Sequence, residues 1–432
     1  MNLLSTKAES WLAVVLFNLF MVAMAGLLLR AFHYIPIPHL NYDYLLQAHS
    51  HFAFGGWGFM ALFIAFHHAF LNKSRAPNKS YTYIFLAALV SVYGMLISFP
   101  FGGYAAVSTS FSTLYIWVTY WFTFRFFRDT KNSEQTISLK MAKAALFLLI
   151  FSSIGPYTMA VMMASGHGGD PHAMNAIYFY LHFQYNGWFM FGILALFFKW
   201  VEMHSISFSK IKAVRFYRLL FWSCFPAVLL SFLWSRPANF VFWIAGLAGF
   251  IQLMALIPLL QIIHSCSKEI NMFVKPVIKF MGIFILAMFI LKYLLEFFGS
   301  IPVIVNWTIT IRNLLIAYLH LVFLGVFTLF LLTYFIQVNV LRLNKITQSG
   351  LWIFLIGFFI TEAILFSASY LSLHNNFIPS FNRWMFFTTL SFPLGIALLW
   401  IGNLKSVRQR FKKAENKISI NDTGNVVKEI QS

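Results

Sequence analysis

Four histidines of this chain fall near the outer ends of long apolar runs. They are His49 and His51 in LLQAHSHFAFGGWGFM, His182 in YFYLHFQYNGWFMFG and His320 in RNLLIAYLHLVFLGVF. An imidazole at membrane depth is costly, and such residues face a bundle interior where they ligate or move protons. Histidines drawn from separate helices are the usual protein means of holding haem iron or copper. His49 and His51 are two residues apart, which puts them on nearly opposite faces of a helix. One is then a ligand, while the other caps the site, serves a second centre or carries protons.

The elements that must position these side chains are membrane spans. The chain has 432 residues, 60% hydrophobic, 19% aromatic and 10% charged, against about 25% charged in a soluble domain. Apolar runs of about 20 residues recur over almost the whole length. They cover 11–31, 49–71, 81–101, 105–127, 141–164, 174–198, 214–234, 239–263, 274–298, 309–337, 350–372 and 384–403. The expectation is an all-α polytopic membrane protein of about twelve transmembrane helices over residues 1–403. The first run is too long to be a cleaved signal peptide. Residues 404–432 read as a basic, disordered cytoplasmic tail. No short repeat stands out.

The net charge of +19 is a topology signal and not a nucleic-acid footprint. Lys and Arg gather after the even-numbered runs: Lys73, Arg75 and Lys79 after the second, Arg125 to Lys143 after the fourth, Lys405 to Lys413 after the twelfth. The other loops, such as FPFGGYAA, are almost free of them. The positive-inside rule then places both termini in the cytoplasm, in a bacterial inner membrane with lipid as the first partner. Cys224 and Cys266 form no CxxC or CxxCH motif, so any haem is held non-covalently.

With that topology the second, sixth and tenth runs share a direction. His49, His182 and His320 then lie about six to eight residues past Asp43, Asn175 and Arg312, roughly 9–12 Å inside the outer boundary. Three imidazoles in one layer suit a metal site in the outer leaflet. Arg236, Arg312 and Arg383 are outer-side partners for carboxylates. Lys292 and Glu296 are spaced to pair within the bundle, and Glu362, near the middle of its run, is a proton-path candidate. His67 and His68 read as interfacial residues.

At these motifs the chain resembles the haem-copper oxidase subunit I superfamily. Ala48-His49 is similar to the family's helix-two setting, AYLHLVFLG to its helix-ten pattern, and His182 to its helix-six copper ligand. The resemblance implies twelve helices and a b-type haem with His49 and His320 as axial ligands and Arg312 and Arg383 on its propionates. It further implies a second metal or haem pocket, with copper a candidate, from His182, Tyr185 and His51; Tyr185 is the candidate catalytic residue. The seventh run has no histidine, and Tyr318 stands at the family's high-spin ligand position. The family's oxygen- or nitric-oxide-reducing centre is therefore incomplete here. The implied role is electron transfer by a bis-histidine haem, with a modified gas-reducing site. No donor domain is present, so a separate electron donor or partner subunit is implied.

Two rivals stand beside this. AHSHFAFGGWG is also similar to the early motif of the haem- and copper-containing membrane proteins of the nitric oxide response, which implies an accessory role in haem or copper handling. The third is a proton-coupled transporter using the histidines and Glu362 as a relay; Pro156, Pro226, Pro258 and Pro393 show no pairing between halves that would favour it.

Overall fold

The computed structural model describes residues 3–35, 37–71, 79–170 and 172–404. The expected tail from Lys405 onward, and Lys73 and Arg75, lie outside the described residues.

Apolar runs of this length have one way to satisfy their backbone groups in lipid, the α-helix. Twelve long helices follow one another: α1 (Leu3–Ala31), α2 (Tyr42–Phe70), α3 (Lys79–Gly102), α4 (Ala106–Asp129), α5 (Ile137–Ala164), α6 (173–203), α7 (Lys210–Ser235), α8 (Asn239–Ser265), α9 (Pro276–Phe298), α10 (Arg312–Gln337), α11 (Lys345–Leu373) and α12 (Phe381–Leu404). Short helices cover Ser267–Phe273 and Pro302–Thr310. No strand occurs among the described residues.

Among the described residues, ten helices are long and apolar enough to cross a membrane. The protein is thus a polytopic helical membrane protein. The two below that mark are α4, rich in Ser, Thr, Tyr and Trp, and α6, which carries Asn175, His182, Gln184 and Asn186. For α6 the reason is its position. Gln184 and Asn186 are buried against protein, so that face has no need to be lipid-soluble.

Each helix packs on its neighbour in sequence, and α12 returns to α1, closing the ring. Within the ring, α2 is enclosed over 83% of its membrane window, against 33% for α5, α7 and α8. Three helices, α2, α6 and α10, share a further feature. Each turns from α-helical to π-helical just after its histidine, over Ala53–Phe59, Phe183–Phe189 and Leu321–Thr328. A π turn loosens the backbone ladder and is often found at functional sites. Buried polar side chains compensate. Asn18 of α1 donates to the Gly56 carbonyl at 2.9 Å and accepts from Tyr93 at 2.9 Å. Trp57 donates to Thr328 at 2.9 Å, tying the π turns of α2 and α10 together.

The same register shows a repeat that the linear sequence did not suggest. His51, His182 and His320 are each followed three residues on by an aromatic (Phe54, Tyr185, Phe323) and five residues on by glycine (Gly56, Gly187, Gly325). The three aromatic rings meet, with centroids 5.3 Å apart for Phe54–Tyr185, 5.3 Å for Phe54–Phe323 and 6.5 Å for Tyr185–Phe323. Such spacings are favourable aromatic packing. Three inner helices thus converge on one aromatic hub. Gly325 permits close packing there: a Cβ on it would come 2.6 Å from the Phe358 ring of α11.

Candidate functional site

His49 turns from α2 toward α1, where its Nδ1 lies 3.1 Å from the Val22 carbonyl oxygen. A carbonyl only accepts, so in this bond Nδ1 carries the hydrogen and Nε2 keeps its lone pair. One turn on from Val22, a Cβ on Gly26 would come 3.2 Å from His49 Cε1. The glycine lets the ring lie flat against α1.

His320 stands on α10 with its Nδ1 3.7 Å from Glu362 Oε1 on α11. Among the described residues, neither His320 Nδ1 nor either Glu362 oxygen has a hydrogen-bond partner. The His320 side chain keeps 31% of its accessible surface, and His49 is half-buried.

The two imidazoles belong to one electrostatic neighbourhood. His320 lies within reach of His49 and Arg30, His49 within reach of Arg30, and Arg30 within reach of Arg312. Among the described residues neither arginine has a carboxylate within ion-pair distance. His33, just past α1, is held below the usual histidine range by burial and then by the Arg30 and Arg312 guanidinium groups. Arg30 thus stands beside both histidines, and Arg312 stands beside Arg30.

Arg30 was hidden from sequence reasoning because it ends an apolar run and reads as part of it. Its signal was available, since it is the one cation in residues 11–31. Arg312 is exposed at the start of α10 and lies within reach of Arg30 and His33. Arg383 is exposed near the start of α12 and does not act on His49, His320 or Arg30.

The second expected set does not come together. His182 is buried with both ring nitrogens engaged: Nε2 is 2.8 Å from the Cys224 carbonyl oxygen, and Asn186 Nδ2 is 3.2 Å from Nδ1. No lone pair is left for a metal in that arrangement. His51 faces away from His49, as their spacing requires. It stacks on Phe99 at 4.5 Å, and its Nε2 is 2.9 Å from the Tyr104 hydroxyl. Tyr185 packs on the aromatic hub. Tyr318 donates to Glu296 Oε1 at 2.6 Å. Among the described residues, no three His, Cys, Asp or Glu side chains converge in the manner of a bare-metal site. A macrocycle that brings its own equatorial nitrogens needs only two.

No protein-family model matches the chain, and no curated protein matches it.

Proposed function

We propose that the protein is an integral-membrane electron-transfer haem protein of the haem-copper oxidase subunit I-like type. In this reading all twelve helices cross a bacterial inner membrane, with both termini on the cytoplasmic side. His49 and His320 are the axial ligands of a b-type haem. One observation carries this: two imidazoles from different inner helices lie in one electrostatic neighbourhood, each with its Nδ1 beside an oxygen. A second-shell oxygen on one ring nitrogen is the usual companion of metal ligation through the other, since it sets the tautomer and ring orientation.

The donor set fits a b-type haem. The Val22 carbonyl orients His49, Glu362 stands where it orients His320, and Gly26 leaves room for the ring. Arg30 and Arg312 supply the guanidinium pair that two propionates require. When bound, the haem supplies one-electron chemistry, and two histidine ligands leave its iron no open position. The engaged nitrogens of His182 and the bond from Tyr318 to Glu296 favour electron transfer over gas reduction. The same facts keep open an accessory protein of haem handling, which needs ligands but no turnover. Electrons must come from a separate donor.

Low-temperature electron paramagnetic resonance of the ferric protein in mild detergent tests the assignment. A low-spin signal that becomes high-spin or vanishes in His320→Ala and His49→Ala is expected. A low-spin signal unchanged in either variant would refute it.

A further inference from the structure

Arg383 stands apart from the two ligand histidines, exposed in the first turn of α12. Among the described residues, no carboxylate lies within ion-pair distance of it. It differs in this from Lys292 on α9, whose Nζ is 2.7 Å from Glu296 Oε2 inside the bundle. A guanidinium left open where a span meets the headgroup layer is a ready partner for an oxyanion, because its planar fork matches carboxylate and phosphate.

One turn deeper, about 6 Å along the helix, the surface of the bundle is cleft. Phe387 and Ser391 follow Arg383 at four-residue steps, so the three share one line along α12. Phe387, Thr388 and Ser391 form one wall of a groove of about 360 Å³, and Ile353, Ile356 and Ile360 of α11 form the other. Ile356, Ile360 and Phe387 are exposed, so the groove opens away from the bundle, toward lipid. At its base the two helices touch: the Ser391 side chain occupies the place that a Cβ on Gly357 would take. Further along, a Cβ on Gly395 would come 2.8 Å from the Gly350 carbonyl oxygen. The Tyr34 ring meets Phe387 with centroids 6.4 Å apart and supports that wall. The Ser391 hydroxyl donates to the Thr388 carbonyl at 2.7 Å, as a hydroxyl beside hydrocarbon must.

We propose that the cleft between α11 and α12 binds an anionic phospholipid, with its phosphate on Arg383 and one acyl chain in the groove. A hydrocarbon chain gains little merely by leaving other lipid tails, which are as apolar as the protein surface. The groove therefore supplies shape and dispersion contact. Arg383 supplies the preference for negative charge, on a chain whose net charge is already +19. A cleft closed at its base by glycine contacts suits one flexible chain, not a helix about 10–12 Å across. The site needs no haem between α2 and α10, so it stands or falls separately from the haem assignment.

Native mass spectrometry of the full chain, released from detergent with dioleoyl phosphatidylglycerol or dioleoyl phosphatidylcholine added, tests the site. Phosphatidylglycerol should be retained several-fold better, and Arg383→Gln should remove that preference. Ile360→Trp fills the groove from a lipid-facing position and should lower phosphatidylglycerol retention at least as far. Equal retention of the two lipids, or a preference unchanged in either variant, would overturn the proposal. Phosphatidylglycerol with a photoactivatable diazirine on its acyl chain should label residues 353–360 and 387–391. Labelling confined to other spans would overturn the site even with the preference intact. A dimer that forms without lipid and blocks the label would place a second copy in the cleft and overturn it equally.

Discussion

His320 Nδ1 and Glu362 Oε1 lie 3.7 Å apart across α10 and α11, and neither atom has a hydrogen-bond partner among the described residues. A carboxyl group placed beside one ring nitrogen makes the other nitrogen the better ligand. Replacing Glu362 with Gln should keep a low-spin haem but shift its midpoint potential, because the group beside one ring nitrogen tunes how strongly the other nitrogen ligates. Potentiometric titration of the two proteins checks this. An unchanged potential would mean that Glu362 does not act on the ligand.

Gly26 should be intolerant of bulk. A Cβ there would meet His49 Cε1 at 3.2 Å. Gly26→Ala asks the ring to give by a few tenths of an ångström and should lower haem content modestly. Gly26→Leu should lose the haem with the fold retained, because the larger side chain occupies the ring's own place. The haem-to-protein ratio after purification reads the effect.

His182 should behave as a structural residue. Its two hydrogen bonds, to the Cys224 carbonyl and from Asn186, are buried. His182→Ala should lower stability by about 2–4 kcal/mol, since it leaves two buried polar groups unpaired. It should leave the low-spin spectrum intact. Thermal unfolding in detergent and an optical spectrum separate the two effects, and loss of the haem signal alone would restore His182 as a ligand.

Much of this arrangement was legible before the structure. The helical rods, the opposed faces of His49 and His51, the Lys292–Glu296 pair and the burial of Glu362 all follow from spacing and hydropathy. The π turns were not legible, because a π turn changes backbone hydrogen bonds without changing the apolar pattern. The repeat of histidine, aromatic and glycine was masked by the choice of His49 as the reference, when His51 is the residue in register. Arg30 was masked by its apolar neighbours. The expectation that α4 and α6 resemble the other spans overlooked that an enclosed helix face can afford polar side chains.

His33 reports on the arginine pair. Burial and the two guanidinium groups hold its imidazolium below the usual range. The unfolded chain therefore binds this proton first, so His33 costs nothing above the ordinary histidine range. It destabilises the fold as pH drops from the unfolded value of about 6.5 toward the depressed folded value. Arg30→Gln should raise the folded value and weaken that dependence. Two propionates at Arg30 and Arg312 should raise it as well. Nuclear magnetic resonance titration of labelled histidine, with and without added haem, gives both shifts.

The central claim is a bis-histidine haem between α2 and α10. Its most direct test is a dithionite-reduced minus oxidised optical spectrum of the purified protein, repeated under carbon monoxide. A sharp reduced b-type band that carbon monoxide leaves unchanged, and that is lost in His49→Ala and in His320→Ala, is the predicted result. A band that shifts with carbon monoxide, or the absence of any haem from protein expressed with ample haem supply, would contradict it.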